Sequence, residues 1–448
     1  MKKINYLLML LSVVFVLSSC NNGDENIVVP ILEPEVIANN VSTNTTLTSD
    51  RVWILRGETH VQSGAVLTIQ AGTIIKSDVS QKGALIIDKG ARIEAVGTAA
   101  SPIIFTSGVA AGSRAPGDWA GITIIGRAPT NRATVGIVEG GVSGQFGLDN
   151  IPTDNSGTLK YVRIEYAGIA VAQGSEVNAL SLYAVGSGTT LDHIQISYAK
   201  DDAYEFFGGT VNGKYLISYG TSDDDFDFDN GYTGKIQFGV VLRRPELVDP
   251  TDQGNGVECD NESSVPTAGP STPLTRPVLS NFTFLGSNGA SNEAAQQHFA
   301  NRFRRATQFV VVNSLYGGFK EAGVSMESEQ TVSAYVAGTS IFKNNAVTAM
   351  KQPYLTNSAT LNSAAFQVKA ETEGNVTLAN SAALLLSNPF NLSAPNFSPQ
   401  TASPALLGTY VAADNSGFFT ATTYRGAFAA NDTWTNTWTN FNPNSSTY

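Results

Sequence analysis

The sequence predicts an all-β chain wound as a solenoid, with a long inserted loop and a C-terminal cap. Three observations predict it. Apolar residues recur at a spacing of two through short β-branched runs, the period of a strand. Turns rich in Gly and Asn, suited to sharp corners because they tolerate positive φ, separate those runs. The pieces VLTIQAGTII and ALIIDKGARIEAVG echo each other about 20 residues apart, as expected where each unit buries its face by stacking on its neighbours. Composition agrees. Charged residues are only 15% of the 448 and Gly numbers 42, while continuous helical heptads are absent.

The N-terminal residues read as targeting, not fold. Lys2 and Lys3 precede an apolar run from Leu7 to Leu17, too short to span a bilayer. Leu17-Ser18-Ser19-Cys20 then resembles a bacterial lipobox. Residues 1–19 are therefore expected to be a lipoprotein signal peptide, with Cys20 as the lipidated first residue. Asn21 followed by Asp24 and Glu25 resembles lipoproteins sent to the outer membrane and the cell surface. Loss of Lys2 and Lys3 takes the formal charge from −11 to −13. Such a chain repels phosphate and has no basic stripe, so nucleic-acid binding is excluded. With Cys20 lipidated, Cys259 stands alone and is expected to be a structural thiol.

Residues 20–46 contain Pro30 and Pro34 in a polar setting and are expected to form a tether. The solenoid is expected over 47–442. Residues 243–277, with six prolines, break the rhythm and predict a projecting loop. Strands resume at Val278, and Phe299 is expected to open a further coil. Residues 324–370 are read as short strands and Ala379–Leu386 as helical. Over 387–442, Tyr424, Phe428, Trp434, Trp438 and Phe441 are expected to cap the last coil and cover its edge.

The stretch Asp201–Phe238 concentrates acid, aromatic and glycine residues and is expected to hold three strands. In DDDFDFD, strand alternation puts Asp225, Asp227 and Asp229 on one face and Phe226 and Phe228 on the other. Close carboxylates repel unless a cation or donors compensate. Hard oxygens in a row suit Ca²⁺, so Asp223, Asp224, Asp225, Asp227 and Asp229 are candidate metal ligands. Asp201, Asp202 and Glu205 lie 22–24 residues earlier and stack on them if a coil has that length. The competing reading leaves the Asp side chains facing water or bonded to turn N–H groups. Tyr204 and Tyr232, with Asp201, Asp202 and Glu205, are candidates for ligand binding, the aromatics as sugar-stacking surfaces. Arg302, Arg304 and Arg305 are expected to pair with acids of adjacent coils.

The blocks GTIIKSD, GARIEAVGTAASPIIFTS, DWAGITIIG, YVRIEYAG, EFFGGTVNGKYLISY, DDDFDFDNGYTGKIQF and YRGAF…WTNFNP together resemble a group of bacterial surface lipoproteins common in Bacteroidetes, with a right-handed parallel β-helix of the pectin-lyase-like kind. The resemblance covers residues 50–442 and implies that fold. It also implies a lipid anchor in the outer membrane. A surface binding or scaffold role toward a glycan or an outer-membrane protein is expected, with Ca²⁺ on the acidic face. A polysaccharide lyase or hydrolase, and a purely structural subunit of a surface assembly, are the alternatives. Polygalacturonase blocks are not found, and His60, His193 and His298 are isolated, so catalysis is not expected.

Overall fold

The computed structural model describes residues 32–169 and 176–448; the signal peptide, Cys20 and the first part of the expected tether lie outside them. The described chain is a parallel β-helix. One sheet has 18 strands and a second has 11, ordered along the chain from Asn40–Val41 to Gln352–Thr356. Every pairing in the second sheet is parallel. Among the described residues no helix is long and apolar enough to cross a membrane.

The solenoid starts earlier than its sequence suggests. Leu32–Val36 pairs with Arg51–Leu55, and Asn40–Val41 with Glu58–Val61, so residues 32–46 are a first coil and not tether. Backbone pairing to the next coil outweighs their polar composition. Asp201–Phe238 holds strands Tyr204–Phe207, Asn212–Tyr219 and Phe226–Asp229, plus the start of Lys235–Leu242. The core is built by stacking like on like. Tyr204 lies over Phe226 at 4.8 Å and Phe206 over Phe228 at 5.0 Å, each pair contributing about 0.5–1.5 kcal/mol beyond its buried area. Cys259 continues that column, in register with Phe228 on one side and Phe303 on the other. It is free and buried, and burial pushes its thiol well above its ordinary pKa, as a structural thiol requires.

The 243–277 segment is not one projecting loop. Glu258–Cys259 returns to the second sheet between Phe226–Asp229 and Phe299–Phe303. The prolines punctuate two excursions with a coil strand between them. Residues 324–370 hold the expected short strands, at Ile341–Lys343, Ala346–Val347 and Gln352–Thr356, but add two helices that were not expected. These are α1 (Glu329–Val336) and α2 (Ser363–Thr372), capped by Ser328 and Asn362 side chains that accept from Thr331 and Ala365 N–H groups. Phe366 of α2 packs on Tyr335 and Tyr354 at 5.3 and 5.1 Å, so α2 closes the end of the core. Ser381–Leu384 forms a short 3₁₀ turn.

The C-terminal segment is a lateral strap and not an end cap. Trp438 packs beside Tyr161 and His193, Trp434 beside Tyr215, and the Tyr448 hydroxyl donates to Glu165. The side-chain amides of Gln195, Gln237 and Asn313 each donate to and accept from the strap backbone, at Asn440, Thr420 and Val411 respectively. The strap's aromatics pack along the side of several coils, a longer apolar track than the last coil alone offers.

Candidate functional site

The site sits on the outer face of the second sheet. Register makes it. Glu205 pairs with Asp227, and Asp227 with Glu258, so three acids stack outward while Tyr204, Phe206, Phe226 and Phe228 turn inward. Just before these strands, Asp202 and Asp224 stack likewise: the Asp224 N–H donates to Asp202 Oδ1 at 2.8 Å and the Asn255 N–H to Asp224 Oδ1 at 2.6 Å. Asp201 and Asp223 complete the floor. Excursions supply the walls: Glu139 from a hairpin, Glu176, and Asp249, Thr251 and Asp252 from the first half of the insertion. The cavity holds about 230 Å³, and eleven of its thirteen lining side chains are carboxylic acids, the others being Asn178 and Thr251.

No Lys, Arg or His lines it among the described residues. Asp202, Asp224 and Glu205 are 6%, 4% and 8% exposed. Asn178 Nδ2 donates to Glu205, and Asp227 Oδ1 is buried with no donor at all. Burial first, then neighbouring like charge, raises the carboxyls of Asp201, Asp202, Glu205, Asp223, Asp224 and Asp227 well above the usual carboxylate range. Burial raises Glu258 to about 7, against the opposing effect of Arg304. Hard carboxyl oxygens clustered around an undonated buried oxygen could hold a hard divalent cation, which would in turn favour their ionised form.

Not every expected residue belongs here. Asp225 lies outside the cavity, because the strand begins at Phe226 and the alternation does not reach it. It is fully buried against Arg243, 2.9 Å away and itself fully buried, and accepts from Ser218. Asp229 ends the strand and accepts from the N–H and Nδ2 of Asn230 at 2.6 and 2.9 Å; burial raises it to about 7. Tyr204 and Tyr232 are fully buried and do not offer stacking surfaces. Their hydroxyls donate to the carbonyls of Ile194 and Ile217, and of Val211. Arg302 pairs with Glu258 and Glu327, Arg304 with Glu258 and Asp260, and Arg305 with Asp260, as expected of acids and bases on adjacent coils. Sequence reasoning missed Glu139, Glu176, Asp249, Asp252 and Glu258.

A solenoid of parallel sheets with an outward acidic cavity defines a parallel β-helix protein of the pectin-lyase-like class. A family model described as a pectate-lyase-like β-helix domain matches residues 39–388, and the chain belongs to that family. No curated protein and no solved structure matches it.

Proposed function

We propose that the protein is a lipid-anchored binding module of the bacterial outer-membrane surface. Cys20 carries the anchor, and Ca²⁺ in the acidic cavity sets the surface offered to a glycan or an outer-membrane partner protein. One observation carries the cation reading: eleven carboxylic acids line a single cavity that has no basic side chain. Ions bound there would tie the sheet floor to Glu139, Glu176 and the Asp249–Asp252 turn, so the cation would shape the surface around the cavity. Cys20 behind its lipobox supports the anchor. Lyase chemistry on this fold would need a free basic side chain to accept a proton; Arg302 and Arg304 reach Glu258 at the cavity's edge but are held there in ion pairs, and the described lining has no basic residue of its own.

Calorimetric titration of CaCl₂ into chelator-treated protein tests the reading. Heat of binding and a raised melting temperature are expected; neither appearing would end it. Acidic and neutral polysaccharides, screened with and without Ca²⁺, should be retained without cleavage. Release of unsaturated or reducing ends would make the protein an enzyme instead. Globomycin-sensitive processing and acylation at Cys20 should be abolished by Cys20→Ala; a soluble wild-type product would remove the anchor.

A further inference from the structure

We infer that the cavity takes a row of two or three divalent cations joined by shared carboxylates, with Asp202 and Asp227 as the bridges. This rests on the cation reading above. Three sets of acids each bring one oxygen per residue to within 4.8 Å of one another: Asp201, Asp202 and Asp223; Asp202, Glu205 and Asp227; Asp224, Asp227 and Glu258. The sets are linked. Asp202 belongs to the first and second, Asp227 to the second and third. An ionised carboxylate has two oxygens and about four lone-pair directions, enough to serve two ions.

The spacing is imposed by the fold. Glu205, Asp227 and Glu258 are register partners on successive strands, so neighbouring subsites repeat at about the strand spacing of 4.8 Å. One Ca²⁺ brings two positive charges to the seven carboxyls of these sets and would leave most of them uncompensated; a row draws on all three sets, with water completing each shell. A second observation points the same way, apart from the clustering. Asp227 Oδ1, at the junction of two sets, is buried and receives no hydrogen bond. Asp202 and Asp224, both more than nine-tenths buried, each accept a backbone N–H on Oδ1, and among the described residues no donor reaches their Oδ2 atoms.

Native mass spectrometry of the full chain, stripped with chelator and reloaded with CaCl₂, tests the row. Two or three bound ions are expected. Asp227→Asn should lose more ions than Asp201→Asn, because it breaks two sets and not one. A single bound ion on the unaltered chain would overturn the row while leaving the cation reading intact; no bound ion would remove both. Equal losses in the two variants would remove the bridging role. If Asp227→Asn does not fold, the wild-type chain loaded with Tb³⁺ and Eu³⁺ together gives a second readout. Energy transfer between the lanthanides is expected, and its absence with both ions bound would overturn the row.

Discussion

Two faces of the same coils handle stacking in opposite ways. On the first sheet, seven successive coils bend at one column, where Tyr161, His193, Tyr215, Phe238, Asn281, Asn313 and Asn344 all have φ between 50° and 63°. A left-handed non-glycine residue costs about 1–2 kcal/mol. Here the cost is offset by what the bend aligns. His193 lies 4.4 Å from Tyr161 and 4.3 Å from Tyr215, and Tyr215 lies 4.8 Å from Phe238. Asn344 donates to Asn313 at 2.7 Å, and the strap covers the column. On the second sheet the same repeat stacks Glu205 on Asp227 on Glu258. Aromatics and amides gain from being repeated at strand spacing, whereas carboxylates lose. One face is therefore complete within the chain; the other keeps its carboxyls crowded, which is where the proposed cations would act.

The largest expected effect breaks the completed face. Trp438 of the strap is fully buried against the column, and Trp438→Ala should cost about 3–5 kcal/mol of stability. Urea unfolding should show the same loss with chelator and with Ca²⁺, because the strap lies away from the cavity. A loss that Ca²⁺ reverses would tie the two faces together. Arg243→Ala should be comparable, about 3–5 kcal/mol, since it leaves Asp225 charged and buried without its partner. Arg243 also donates to Gln297 and to the Asp223 and Asn255 carbonyls. A change under about 1 kcal/mol would show that the pair is dispensable.

The difference between the faces also explains what the sequence made legible. The fold was readable because stacking leaves a repeat. The acid floor was readable as composition, and the 22-residue offset from Glu205 to Asp227 let two coils be aligned. That offset becomes 31 residues from Asp227 to Glu258 and 44 from Glu258 to Arg302. Insertions of unequal length hide the register, so Glu258 and the wall acids Glu139, Glu176, Asp249 and Asp252 carried no local signal. Tyr204 was within reach. Once Glu205 faces outward, its neighbours must face the core. The left-handed aromatics were not within reach, since nothing local marks Tyr161 or Phe238 for positive φ; the coil-to-coil stack imposes it.

The incomplete face should respond to ligand where the complete one does not. Ca²⁺ at about 100 times its Kd should stabilise the protein by about 2.7 kcal/mol per independent site, read as a rise in melting temperature. Asp224→Asn should remove much of that rise and should stabilise the chelated protein, because it takes one charge out of a crowded, buried set. A variant that is less stable in chelator and still responds fully to Ca²⁺ would place Asp224 outside the site.

The smallest effect is a pH trend of unusual sign. Asp229 and Glu258 have folded pKa values raised to about 7, burial being the first cause in both. Their unfolded values lie near 4. A carboxyl whose folded pKa is the higher one binds more protons when folded, so its contribution grows as pH falls and is lost as pH rises through about 7. In chelator each of the two groups should therefore add about 1.4 kcal/mol between pH 8 and pH 6. Saturating Ca²⁺ should suppress the gain attached to Glu258, because ions in the cavity favour its charged form. Asp229, which lies outside the cavity, should keep its share. Urea midpoints at the two pH values, with and without Ca²⁺, measure both parts. A chelated protein that loses stability on acidification over that range would mean the acidic face is already neutralised within the fold, as the strapped face is.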